Sequence, residues 1–259
     1  MPHELNVYVL PKYVSPEEMA GAAVAVIDVL RSTTTIAFAL AAGAAEVIPC
    51  AEVNDARTVA AMFDRKDVIL GGERHGVALD GFDLGNSPKD YTPGRVAGKT
   101  VVITTTNGTL AMKHACLAAE IYIASFVNAS AVVRRLQHAE QIHVLCSGTD
   151  GQPSEDDTLL AGVIVDRLQR SSAEAYRLNA QAIAARELWL KCFAVPQAPR
   201  VETIEPRQLA DVLRKTLGAK NLLELGFGED IAAAAEIDRL DIVPQLTFGH
   251  GDGPGRIRC

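Results

Sequence analysis

The hydrophobic and polar positions alternate between short apolar runs and helix-period segments along most of the chain. That alternation predicts strands and helices in turn, the pattern of an α/β protein. Short strands are expected at Asn6–Leu10, Ala22–Ile27, Glu46–Pro49, Asp67–Leu70, Thr100–Thr105, Ile121–Ala124 and Gln141–Cys146. Helices are expected at Thr34–Ala42, Asp55–Phe63, Leu110–Ala119 and from Glu155 to Arg170. A long helix is read from Ser172 to Phe193, ended by Pro196 and Pro199. Pro206–Leu217, closed by Gly218, and Asn221–Leu225, closed by Gly226, read as shorter helices, and Glu229-Asp230 opens a final one. Asp241–Pro244 reads as a short extended segment. The glycine-rich stretch Phe248–Gly255 reads as a mobile tail, with His250 in solvent.

Two segments repeat this alternation with the same polar punctuation. Thr33-Thr-Thr35 leads through an alanine-rich helix to Ala45-Glu-Val-Ile48. Thr104-Thr-Thr106 leads through another to Ala119-Glu-Ile-Tyr122. Two similar half-structures, each with a hydroxyl-rich turn, are the expectation. Between them, residues 71–93 show no clear period and are rich in glycine, charge and amide groups. A loop of that length in a compact domain is usually functional or disordered, and its content argues against disorder; the plainer alternative is a surface Ω-loop held by its own polar groups. Glu73, Arg74, Asp83, Asn86 and Ser87 are its candidates for a site.

The candidate chemistry gathers where the apolar run Val24–Ile27 meets Asp28, Arg31 and the hydroxyls Ser32 to Thr35. In an open α/β sheet ligands bind at the carboxyl ends of strands. A helix start there favours an anion through free N–H groups and the helix dipole. Arg31 adds fixed positive charge, and the hydroxyls suit phosphate oxygens or helix capping. Asp28 has the wrong charge for phosphate, and a bound cation is the simplest explanation for it. The plainer alternative is that all of these are helix caps and surface charge. Glu155, Asp156 and Asp157 open another helix, and Ser154 with Asp157 has the spacing of a capping box. Glu155 and Asp156 are also hard oxygen donors for Mg²⁺. Cys146 ends an apolar strand, and no arginine follows it to close a phosphate loop, so it is not read as a nucleophile.

Composition narrows the classes. The 259 residues are 48% hydrophobic, enough for a substantial core. With a net charge of −7 and no basic stripe, nucleic acid is not an expected partner. The apolar runs are too short and interrupted to span a bilayer. Met1-Pro-His-Glu-Leu5 lacks the pattern of a signal peptide, and the five scattered cysteines suit reduced thiols in the cytoplasm. The composition is compatible with a monomer or a homo-oligomer.

Five motifs in order carry a family resemblance: Ile27-Asp-Val-Leu-Arg-Ser-Thr-Thr-Thr35, Gly72-Glu-Arg74, Gly81-Phe-Asp-Leu-Gly-Asn-Ser-Pro88, Thr104-Thr-Thr-Asn-Gly-Thr109, and Cys146-Ser-Gly-Thr-Asp-Gly151 with Glu155-Asp156. Together, from Val7 to Val243, the chain resembles the 2-phosphosulfolactate phosphatase (ComB) family. The resemblance implies a layered α/β/α fold with two structurally similar halves and mixed sheets. It implies one domain, 1–259, built as two pseudo-repeated halves; the tail 247–259 lies outside the resemblance and is read as flexible from its glycines. It further implies a Mg²⁺-dependent hydrolase that converts 2-phospho-3-sulfolactate to 3-sulfolactate on the route to coenzyme M. On that reading Asp28, Arg31, Glu73 and Arg74 are catalytic, and Asp28, Glu155 and Asp156 hold the metal. Thr33, Thr34, Asn86, Ser87, Thr105, Asn107, Ser147 and Gly148 line the pocket for a small anionic phosphorylated substrate. The nucleophile is water or Asp28 itself. Water is favoured because position 30 is Leu, where an aspartyl-phosphate route in the haloacid-dehalogenase style needs a second Asp. His75 departs from the family, in which a small residue follows Glu-Arg, and it puts the substrate in question. A phosphatase for another small phosphoacid, or a non-catalytic phosphometabolite sensor, remains the alternative.

Overall fold

Ala23–Ile27 is buried at all five positions, as expected of a strand covered on both faces. It is one of the inner strands of a single sheet in the computed structural model, which describes residues 3–171, 175–193, 204–249 and 253–259. In chain order the strands are β1 (Glu4–Tyr8), β2 (Ala23–Ile27), β3 (Glu46–Pro49), β4 (Val68–Arg74), β5 (Val77–Ala78), β6 (Thr100–Thr104), β7 (Glu120–Ala124), β8 (Gln141–Cys146), β9 (Arg177–Leu178), β10 (Gln245–Thr247) and β11 (Arg256–Arg258). The helices are α1 (Ser32–Ala41), α2 (Val53–Ala60), α3 (Pro93–Val96), α4 (Gly108–His114), α5 (Ala129–Leu136), α6 (Glu155–Ser171), α7 (Ala180–Phe193), α8 (Pro206–Leu213), α9 (Leu217–Glu224) and α10 (Gly228–Ala234). None of them is long and apolar enough to cross a membrane, among the described residues.

The sheet order is β5-β4-β6-β3-β11-β10-β7-β2-β8-β1-β9. It consists of two parallel halves. In one, β4, β6 and β3 are parallel; in the other, β7, β2, β8, β1 and β9 are. The antiparallel pair β10–β11 joins them, β10 to β7 and β11 to β3. The sequence repeat has a structural form here. β2-α1-β3 passes from one half to the other, and β6-α4-β7 passes back, so that β2 pairs with β7 and β3 with β6.

Period-2 alternation distributes the core between the layers. Ala23, Ala25 and Ile27 face the cluster that contains residues of α5 to α10. Val24 and Val26 face the other way, toward Ile36 and Leu40 of α1 and Met112 of α4. Val47, Val101 and Ile103, from the opposite half-sheet, join that same cluster. The helices α1 and α4 are therefore a layer shared by both halves. Each large aliphatic side chain buried there contributes about 1.5–3 kcal/mol. A third cluster, with Ile48 and Val102, is covered by Ala56, Val59 and Ala60 of α2.

The structure corrects several expectations. The segment read as a flexible tail begins at the end of β10 and supplies β11, where Ile257 is fully buried. Glu46 holds β11 by ion pairs to Arg256 and Arg258. His250, Pro196, Pro199 and Ser172 lie outside the described residues. The helix expected from Ser172 begins at Ala180, because Arg177-Leu178 pairs with Glu4-Leu5 as an edge strand. Gly218 does not close a helix; it lies in the first turn of α9. Asp241–Pro244 forms no strand. The stretch expected to be a loop from residue 71 begins as strand, since β4 continues through Arg74 and turns back into β5. Gly43 follows α1 with φ +91° and closes it as a C-cap glycine, its N–H donating to Leu40 O at 2.9 Å.

Candidate active site

The hydroxyl run after β2 is turned inward. Thr33 Oγ1 donates to Asp28 O at 2.8 Å and accepts from Asp28 N–H at 3.1 Å. Thr34 Oγ1 donates to Val29 O at 2.7 Å and shares a hydrogen bond with Ser125 Oγ at 2.6 Å. Both threonines are fully buried. They satisfy backbone groups that a strand-to-helix turn leaves open, and they do not line the anion pocket as expected. From this stretch Asp28, Leu30 and Arg31 line a cleft.

The second hydroxyl turn, after β6, meets the first. Thr105 Oγ1 donates to Ser32 Oγ at 3.4 Å and accepts from Thr109 N–H at 3.3 Å. Gly108 makes the approach possible: a Cβ there would sit 2.5 Å from Asp28 Oδ2 and from Ser32 Oγ. Asn107, just before α4, lines the cleft. The β4–β5 hairpin forms another wall. Glu73 is buried, and its carboxylate accepts from Gly76 N–H at 2.6 Å and Thr106 N–H at 2.9 Å, which ties the hairpin to the second turn. Arg74 faces elsewhere. Its guanidinium donates to Glu73 O, Ala51 O and Thr104 Oγ1, clamping β4 to its neighbours outside the cleft lining. Asp83 likewise pins the loop to β4 through Leu70 N–H at 2.9 Å. His75 lines the cleft with φ +52°.

At the start of α6 the three acids separate. Glu155 is exposed and outside the cleft lining, away from the metal role read for it. Asp156 and Asp157 are buried. Asp157 accepts from Val29 N–H at 2.9 Å, Gly148 N–H at 3.0 Å and Ser147 Oγ at 3.2 Å. Ser147 and Gly148 thus hold Asp157, and neither lines the cleft. Ser154 donates to Asp156 and not to the expected box partner, Asp157. Asp156 also abuts Gly218, where a Cβ would be 2.8 Å from Oδ1. The sequence carries a signal for Asp157 that spacing as a cap obscures: three, four and seven residues on stand Leu160, Ala161 and Ile164, all fully buried.

Burial dominates the electrostatics. It raises the Asp28 carboxyl from its ordinary range to about 7, with the charges of Glu73 and Asp156 adding to the rise. Burial also raises Asp156, and it raises Asp157 well above the usual range, where Asp156 and Asp28 add repulsion. Among the described residues no salt bridge reaches Asp28, Glu73, Asp156 or Asp157. Buried acids without a basic partner are costly unless neutralised by protons or a cation. These are hard oxygen donors of the kind Mg²⁺ prefers. They are not already gathered as a cage, for no three His, Cys, Asp or Glu side chains converge in that way among the described residues.

The positive side of the cleft is a single fixed group. Arg31 is paired with Asp230 at 2.8 Å, both side chains being 3% exposed. Asp230 also accepts from Ser87 Oγ at 2.5 Å, so Ser87 supports the pair and is not in the lining. Asn86 is in the lining, 4% exposed, and its Oδ1 has no partner. Sequence reasoning missed Asp230, which there reads only as a helix-opening acid.

Comparison with known proteins shows the family of the chain. The 2-phosphosulpholactate phosphatase family matches residues 8–249. A protein of Symbiobacterium thermophilum named "probable 2-phosphosulfolactate phosphatase" is 38% identical over 235 residues, 90% of this chain and 95% of its own. One of the same name from Caldanaerobacter subterraneus is 36% identical over 246 residues, covering 95% and 96%. Another, from a Synechococcus species, is 38% identical over 260 residues, covering 98% of each chain.

Proposed function

This chain belongs to the 2-phosphosulpholactate phosphatase family, and we propose that it hydrolyses 2-phospho-3-sulfolactate to 3-sulfolactate and inorganic phosphate. The observation that carries the reading is Asp28. It stands in a cleft with Arg31, close enough to Glu73 and Asp156 for their charges to raise its carboxyl. A substrate with phosphate, sulfonate and carboxylate meets repulsion from such acids until a cation offsets it. Mg²⁺ fits in donor chemistry, with Asp28 in the cleft lining and Asp156, buried behind it and close enough to act on its carboxyl, the residues that would hold it. When bound it polarises the phosphoryl oxygens and neutralises charge that develops on them.

The chain's own groups do the rest. Without a cation, the acid cluster lets Asp28 keep its proton up to about pH 7. The same crowding makes the ionised carboxylate a good ligand once that proton is lost. Asp157 fixes the Val29 and Gly148 amides, and so the end of β2, through its two oxygens. Glu73 keeps the hairpin and the second turn in register. Arg31 and Asn86 orient the anion. Water attacks phosphorus in line, the P–O bond to the substrate carbon breaks, and its electron pair leaves on the alkoxide oxygen, which is then protonated. A cytoplasmic location and a place on the route to coenzyme M go with this substrate.

The test is phosphate release from 2-phospho-3-sulfolactate with Mg²⁺ and with excess chelator, beside 2-phospholactate. Rapid, metal-dependent release that prefers the sulfonate supports the proposal. Metal-dependent release that prefers another phosphoacid refutes the substrate and directs attention to His75. Saturable binding without release refutes catalysis.

A further inference from the structure

Arg31 is held on three sides by groups distant from it in sequence. Nη1 donates to Asp230 Oδ2 at 2.8 Å, and Nη2 donates to the Gly76 carbonyl at 3.0 Å. The guanidinium carbon lies 4.5 Å from the centre of the Phe227 ring. Asp230 is fixed in turn by Ser87, and the exposed pair Lys89–Glu229 ties the same helix, α10, to the same loop.

This is a poor arrangement for attracting anions, because the Asp230 charge offsets that of Arg31. It is also a poor way to gain stability, since a buried ion pair is seldom better than apolar packing of similar volume. Orientation is what it does provide. A guanidinium has five N–H donors in one plane. Two are used by the protein, and three remain in a plane that Asp230, Gly76 and Phe227 together define. An arginine otherwise carries much rotamer freedom, lost on binding unless it is fixed in advance.

We propose that Asp230 and Phe227 are positioning residues of the phosphatase reaction, which set the plane of Arg31 so that its remaining donors meet a pair of anionic oxygens on the substrate. The proposal rests on the cleft being the active site. It makes the start of α10 part of the reaction machinery, more than a cover for the sheet.

The experiment is a double-mutant cycle on the full chain, with Arg31→Lys, Phe227→Leu and both together, read as kcat/KM for phosphate release. Phe227→Leu is preferred to Asp230→Asn, which leaves a buried guanidinium without its counter-charge and endangers folding. Phe227→Leu is expected to lower kcat/KM about tenfold, as misplacement of an orienting group does. The double variant is expected to be no worse than Arg31→Lys alone, because both changes spoil one device. Additive losses overturn the proposal. A second readout needs no turnover: ¹⁵N NMR of the Arg31 guanidinium. Separate, slowly exchanging Nη signals in the wild type that merge in Phe227→Leu support fixation, and signals already averaged in the wild type refute it. A wild type with fixed Arg31 but no action on 2-phospho-3-sulfolactate counts against the proposed substrate alone. The cycle is then run on the phosphoacid that is turned over.

Discussion

The two hydroxyl-rich turns look alike in sequence and differ in what they contribute. The turn after β2 carries charge: Asp28 and Arg31 both line the cleft. The turn after β6 carries none; Thr106 and Asn107 line the cleft, and Gly108 leaves room for the Asp28 carboxylate. Each presents a strand end and a helix start, yet one holds the charged groups of the cleft and the other is shaped around them. Repeated architecture thus sets the frame, and the charge of the cleft comes from a few side chains that break the repeat.

The largest expected effect comes from removing the charge of the first turn. Asp28→Asn should lower phosphate release about a thousandfold or more, the scale for a group acting on charge at the reacting centre. Its pH signature has a fixed sign. The folded state raises the Asp28 carboxyl from 3.8 to about 7, so it binds that proton more tightly than the unfolded chain. The cation-free protein should therefore lose stability as pH rises from about 4 to 7, with Asp156 and Asp157 acting in the same direction. Thermal melts across that range, with and without Mg²⁺, check this: Asp28→Asn should flatten the slope, and Mg²⁺ should restore stability at the upper end. A wild-type melting temperature that climbs with pH in chelator contradicts the account.

Next comes the room left by the second turn. Gly108→Ala places a methyl 2.5 Å from Asp28 Oδ2. The expected loss of kcat/KM is about a hundredfold, with about 1–3 kcal/mol lost from stability. Steady-state rates and denaturant melts separate the two; undiminished rates would show the turns to be independent. The threonines sharpen the contrast further. Thr33→Ala frees the Asp28 backbone and should lower both activity and stability, the latter by about 1–3 kcal/mol. Thr105→Ala should cost only about 1 kcal/mol of stability with little change in rate. Equal kinetic losses would mean that the turns share the chemistry. The smallest effect is expected at Glu155→Gln, whose side chain is exposed outside the cleft: rates within about twofold of wild type, like most surface changes.

Much of the frame was legible because it is written in local pattern. β3 and β8 have the predicted limits, and β2 and β6 differ from theirs by one residue at one end. Their apolar runs end where polar turns begin. What escaped was what depends on partners remote in sequence. Arg256-Ile-Arg258 is too short for a period and follows a glycine-rich stretch; it is a strand because Glu46 and β3 receive it. Helix α5, Ala129–Leu136, lies in a stretch to which no element was assigned, although Val132, Val133 and Leu136 mark its buried face. Of the residues that line the cleft, Asp28, Arg31, Glu73 and Asn86 could be singled out from their place after strands or in the polar loop. Arg74, Thr33 and Thr34 were the right residue types nearby but are engaged by carbonyls and hydroxyls of the frame, and Ser147 and Gly148 hold Asp157. Asp157 and Asp230 were missed because their partners, Val29 and Gly148 for one, Arg31 and Ser87 for the other, are identified only by the fold.

The hairpin that joins the two half-sheets bears on how the molecule is made. β10 and β11 follow every other strand in sequence, yet they occupy the middle of the sheet. Until they are synthesised and docked, β7 and β3 are open edges, able to pair with another chain. Closing the sheet joins Val47 to Ile257 across most of the chain, the kind of remote contact that slows folding. During synthesis the two halves are thus exposed to aggregation for the longest time at their centre. Weakening the Glu46 clamp on Arg256 and Arg258 should reduce the yield of soluble protein before it affects catalysis.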